Sequence, residues 1–131
     1  MNEHKTRYSI YNINYHIVWI PKYRKRILTE TIKAEMLKLF STIAVQNDIK
    51  ILAVEIMPDH IHLFVTAPPR LSPAQIVNMF KGVSARWLRA RFPELKKLGN
   101  ALWTRTYYIG TAGTVTKETI KRYIEGQTAK I

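Results

Sequence analysis

The chain contains no cysteine. That excludes disulfide staples and every metal site built on thiolates, and it makes the cytoplasm the expected compartment. Acidic residues are scarce, with 9 Asp and Glu against 21 Lys and Arg, for a formal charge of +12 and a pI near 10.1. No apolar run reaches the roughly 18 residues that a membrane span needs. The polar start Met1-Asn2-Glu3-His4-Lys5 lacks a signal-peptide pattern. Repeats, low-complexity tracts and linkers are also missing, so the 131 residues are expected to form a single domain, 1–131.

What is present is a packed-core composition, 47% hydrophobic, carrying an excess of positive charge. An excess of this size on a small domain points to a polyanionic partner, nucleic acid before a membrane surface or an acidic protein. The cations are grouped at Lys22, Arg24, Lys25 and Arg26, along Arg86, Arg89, Arg91, Lys96 and Lys97, and at Lys117, Lys121 and Arg122.

Hydrophobic periodicity divides the chain into seven elements. Residues 8–20 alternate as a strand, with Tyr11, Ile13, Tyr15, Ile17 and Trp19 on one face and Asn12, Asn14 and His16 on the other. Residues 30–46 repeat apolar side chains at helical spacing. Strands over 50–57 and 60–66 flank the Pro58-Asp59 turn and form a hairpin; Leu52, Val54 and Ile56 share one side of the first, with Glu55 on the other. Ser72-Pro73-Ala74-Gln75 is a capping box that starts a helix to about residue 92, with Ile76, Met79, Phe80, Val83 and Trp87 inward. A fourth strand is expected over 101–109, then a flexible joint from Gly110 to Gly113, then a last helix over about 116–127. His4 is expected in an unanchored terminus. The order fits an α+β, ferredoxin-like βαββαβ antiparallel sheet with two helices on one face and an extra C-terminal helix able to close over the other.

The open face is where chemistry can gather. In the segment Met57-Pro58-Asp59-His60-Ile61-His62, the two histidines lie at i and i+2 and share a strand face, so both imidazoles can reach one divalent metal. His16 falls on the same face by parity, with a structural hydrogen bond as its plainer role. Glu55 is either a partner that orients a histidine ring or an exposed sheet carboxylate, and Asp59 is foremost a turn residue. Ile120, Tyr123, Ile124 and Gln127 recur at i, i+3, i+4 and i+7, so Tyr123 and Gln127 share a helix face; in isolation they read as a core aromatic and a surface amide.

Five segments together resemble the small single-tyrosine HUH transposases of bacterial and archaeal insertion sequences, over nearly the whole length. They are Tyr15-His16-Ile17-Val18-Trp19-Ile20-Pro21-Lys22-Tyr23-Arg24, Met57 through Val65, Lys81-Gly82-Val83-Ser84, Leu102-Trp103-Thr104, and Tyr123-Ile124-Glu125-Gly126-Gln127. The resemblance implies His60 and His62 as metal ligands, Tyr123 as nucleophile and Gln127 as third protein ligand. It also implies a homodimer in which one subunit's tyrosine helix can serve the other's histidine pair, acting on single-stranded, hairpin-forming DNA at mobile-element ends in a prokaryotic cytoplasm. The nucleic-acid-binding candidates are Lys22, Arg24, Lys25, Arg26, Lys81, Arg86, Arg89, Lys121 and Arg122.

A phenol with a pKa near about 10 is a poor nucleophile at neutral pH. A divalent cation held by neutral imidazoles and an amide keeps its full charge for the phosphate. Mg²⁺ or Mn²⁺ suits this role, and Zn²⁺ can bind as a non-productive competitor. Two-metal chemistry wants more carboxylates than Glu55 and Asp59 supply. Tyr107 and Tyr108 rank below Tyr123 as nucleophiles, because neither has a ligand partner at helical spacing. Two alternatives remain: a non-catalytic ferredoxin-like nucleic-acid-binding module, and a domesticated HUH nickase acting on palindromic repeats.

Overall fold

A computed structural model describes residues 3–127. One four-stranded antiparallel sheet is built from β3 (Asn14–Trp19), β4 (Lys50–Met57), β5 (His60–Thr66) and β6 (Tyr108–Ala112), in the order β4-β5-β3-β6. Its central strands are β3 and β5, and its order and directions are those of the expected ferredoxin-like sheet.

Against one face pack α1 (Glu30–Gln46) and the broken helix formed by α2 (Pro73–Val77), a π-helical turn (Asn78–Gly82) and α3 (Val83–Arg91). Thr29 caps α1, and Ser72 with Gln75 closes the capping box on α2. Ile17 and Trp19 of β3 and Ile61, Leu63 and Val65 of β5 meet Met36, Phe40, Ile76, Phe80 and Leu88 in the buried core. Every second residue of these strands belongs to the opposite face, which leaves His16, His62 and their neighbours on the side without α1.

Four details differ from the periodicity. The first expected strand is two: β2 (Ser9–Tyr11) pairs with β1 (His4–Thr6) in a separate hairpin, so His4 is anchored opposite Tyr11. A bulge in β4 shifts its register between Ile51 and Ala53 and places Ile51, rather than Leu52, opposite core Val65. The π turn adds one residue to the second helix, so Ser84 and Leu88 are buried where unbroken spacing put Val83 and Trp87. A carbonyl of the turn, Lys81 O, accepts from the Trp103 indole (2.9 Å) and from Ser84 Oγ (3.0 Å). Finally, the last strand starts at Tyr108, so Gly110 is sheet, paired with His16, and not joint. A Cβ at position 110 would collide with the Tyr108 hydroxyl, whereas one at Gly113 meets nothing. The joint therefore begins at Gly113 and leads into α4 (Lys117–Gln127), whose first turn is held by Thr116 Oγ1 accepting from Thr119 N (3.2 Å).

Candidate active site

β5 leaves the Pro58-Asp59 turn with His60 and His62 on the open face, their ring centroids 5.2 Å apart and their planes perpendicular. Each ring is fixed through Nδ1. His60 Nδ1 donates to Asp59 Oδ1 at 2.7 Å, and Asp59 Oδ2 accepts from Arg24 Nε at 3.1 Å. Burial alone would raise the Asp59 pKa, but hydrogen bonds from His60 and Arg24, with their charges, outweigh it and hold the carboxyl below its usual range.

His62 Nδ1 lies 3.0 Å from His16 Nε2. His16 is opposite Phe64 in the register and diagonal to His62, which brings its ring parallel to Phe64 at 4.3 Å and its Nε2 edge to His62. Both imidazoles are almost wholly buried, and burial pushes their pKa values down, His16 to about 4 and His62 to about 3, with charge on His16 and His60 adding to the second shift. They are neutral at physiological pH. A lone pair on His62 Nε2 requires the proton on Nδ1, donated to His16 Nε2.

His62 Nε2 is buried and has no hydrogen-bond partner among the described residues. A buried ring nitrogen without a partner, beside a second imidazole whose Nδ1 is likewise occupied, is compatible with a divalent ion held by two Nε2 atoms when the His62 proton sits on Nδ1. No three His, Cys, Asp or Glu side chains converge as a metal cluster among the described residues. Gln127 closes α4, and its side chain lies outside what the structure describes.

α4 brings Tyr123 over the same face of its own chain. The Tyr123 ring lies 5.7 Å from His16 and 6.0 Å from Phe64, and its hydroxyl accepts from Gly113 N at 3.4 Å. Gly113 O in turn accepts from Asn14 Nδ2 at 3.0 Å, so the joint is latched to β3 beside the histidines. Tyr108 also reaches this face, edge-on to His16 at 5.7 Å.

The structure therefore gathers His16, Asp59, His60, His62 and Tyr123. Glu55 sits opposite His62 in the register, but the hydrogen bond to His62 is made by His16. The alternation Asn12, Asn14, His16 carried the signal for this, although parity alone names a face and not a partner. Of the cations, Arg24 is tied to Asp59. Lys25, Arg26, Lys121 and Arg122 are exposed, whereas Lys81, Arg86 and Arg89 line a separate cleft of about 440 Å³ with Trp103 and Tyr107. Lys81 Nζ donates there to Arg105 O (3.1 Å), and burial lowers its pKa. The binding-module alternative calls for exposed aromatics on the central strands, where β3 and β5 present buried His16, His62 and Phe64.

Residues 9–127 match the family described as IS200-like transposases. The ISDra2 transposase TnpA of Deinococcus radiodurans is 35% identical over 125 residues, 94% of this chain and 89% of that protein. The transposase for insertion sequence element IS200 of Salmonella typhimurium is 31% identical over 128 residues, 96% of this chain and 84% of its own length. A crystal structure from Deinococcus radiodurans R1, described as a transposase, superposes with a TM-score of 0.77 at 35% identity, covering 95% of this chain and 97% of that one. A REP-associated tyrosine transposase bound to a REP hairpin shares the fold, with a TM-score of 0.56 at 17% identity over 97% of this chain and 74% of its own. No helix among the described residues is long and apolar enough to cross a membrane.

Proposed function

The chain belongs to the IS200-like transposase family, and on that premise we propose that it cuts and rejoins single-stranded DNA through Tyr123 with a divalent metal. The observation that carries this reading is the histidine pair with both Nδ1 atoms engaged and His62 Nε2 left buried with no partner among the described residues, on the face that Tyr123 covers.

His60 and His62 would hold Mg²⁺ or Mn²⁺ through Nε2, with Gln127 as the third protein donor. The ion would supply positive charge to the scissile phosphate and to the charge that develops during attack. Asp59 and His16 keep the two rings in the tautomer that offers Nε2. The Tyr123 oxygen attacks phosphorus and gives up its proton, and the P–O3′ bond breaks. The departing 3′ oxygen takes up a proton, leaving a 5′-phosphotyrosine and a free 3′-hydroxyl. Because one phosphodiester replaces another, the reverse attack by a 3′-hydroxyl rejoins strands without an external energy source.

The substrate read this way is hairpin-forming single strand at element ends, gripped by exposed cations such as Lys25, Arg26, Lys121 and Arg122. We place the working unit as a homodimer in which α4 can serve the partner's histidines. Redirecting that helix would require the Gly113 joint to release its hydrogen bonds to Asn14 and Tyr123.

The test is a covalent adduct. Wild type incubated with a single-stranded hairpin oligonucleotide and Mn²⁺ should yield protein–DNA bands on a denaturing gel, and Tyr123→Phe should yield none. An adduct that survives Tyr123→Phe assigns the nucleophile elsewhere, with Tyr108 the next residue to replace.

A further inference from the structure

Tyr23 and Arg24 are consecutive non-glycine residues in the left-handed region, at φ 61° and 52°. Side chains with a Cβ adopt this conformation at a cost, and it persists only where the surroundings over-determine it. Here the chain is pinned on both sides. Lys22 N donates to Leu102 O (2.8 Å), Arg24 N to Pro21 O (2.8 Å) and Leu28 N to Pro58 O (3.1 Å).

The strained turn separates two side chains. Arg24 is drawn onto Asp59, whose other oxygen holds His60, while the adjacent residue Tyr23 remains 75% exposed. Lys22 Nζ lies 5.5 Å from that ring's centroid, and Lys25 and Arg26 follow in solvent. An exposed aromatic among cations, next to the Arg24 that reaches His60 through Asp59, has the two properties that bind a nucleotide: a flat apolar face for a base and positive charge for its phosphates. Asp59 is the acid this turn meets, and it is already paired, so the turn presents a basic surface suited to a polyanion.

We infer that Tyr23 is a stacking platform for a base of the single-stranded substrate, held in fixed relation to the histidine pair through Arg24, Asp59 and His60. The inference rests on the proposed function for the identity of the substrate, and it deepens that reading by naming a residue that positions the strand. Glycine at position 23 would relieve the left-handed backbone, so the tyrosine there costs conformational energy that its ring can offset by binding.

The experiment uses the full chain without metal and follows fluorescence anisotropy of a labelled oligo-dT of about 20 nucleotides. Tyr23→Ala should bind about tenfold more weakly, equivalent to ~1.4 kcal/mol, and Tyr23→Phe should stay within about twofold of wild type because the ring is kept. On an abasic strand of the same length the three proteins should bind alike. Tyr23→Gly should lose the same affinity while its melting temperature is unchanged or raised, which separates loss of stacking from loss of fold. Unaltered oligo-dT binding by Tyr23→Ala, or an equal loss on the abasic strand, overturns the inference. The readout needs neither metal nor Tyr123: a failed adduct assay with these affinities intact removes the catalytic reading alone, and an adduct with Tyr23-independent binding removes the platform alone.

Discussion

His62 is wholly buried, and its ring hydrogen-bonds to another buried histidine. Unfolded, each of these histidines takes up a proton near pH 6.5, but folded they do so near about 4 for His16 and about 3 for His62. Below pH 6.5 the unfolded chain therefore binds more protons than the folded one, and stability falls as the pH drops through that window, by up to about 1.4 kcal/mol per histidine per pH unit. Urea midpoints of metal-free protein should decline between about pH 7 and about pH 4, and His16→Phe, which keeps the stack on Phe64, should show a shallower slope. The same variant leaves His62 Nδ1 without its partner, so Mn²⁺ affinity by calorimetry should drop about ten- to a hundredfold. Unchanged Mn²⁺ affinity would remove His16 from the site.

Between elements, the two glycines near the last helix have different physical roles. Gly110 lets β6 pass beneath the Tyr108 hydroxyl, and Gly113 opens the joint. Gly110→Ala should destabilise by about 1–3 kcal/mol in urea denaturation, since a methyl group must displace Tyr108. Gly113→Ala should stay within about 0.5 kcal/mol. Equal effects would contradict the distinct environments of the two positions. Most elements were legible beforehand because a stripe of apolar residues is a direct consequence of burial on one side: α1 and β4 begin and end where their periodicity does. The β4 bulge, the π turn and the start of β6 were not. Each involves a residue or two whose placement depends on a neighbouring strand or on an indole such as Trp103, and local periodicity carries no record of such partners.

For the whole molecule, the net charge of +12 and the proposed sharing of the site between subunits make separate predictions. Affinity for the hairpin strand should fall log-linearly with salt, with a slope of about −0.7 for each phosphate contacted. A slope near zero would assign binding to contacts other than the exposed lysines and arginines. Mixing Tyr123→Phe subunits with His60→Ala subunits should restore cleavage if α4 serves its partner, because one mixed site then holds both intact halves. No recovery in verified mixed dimers would place the tyrosine with the histidines of its own chain, as α4 lies in the structure. The sequence by itself determined the strand order's raw material, the basic surface and the placing of His60 and His62 on one strand face, because composition, parity and spacing are local properties; Tyr123 became the candidate nucleophile only through the resemblance that the five segments carry together. Only the tertiary structure decided that His16 rather than Glu55 holds His62, that Asp59 links Arg24 to His60, and that Tyr123 covers the histidine face. Those contacts join residues 35 to 107 positions apart or turn on side-chain reach across strands, and only packing decides which of several same-face neighbours meet.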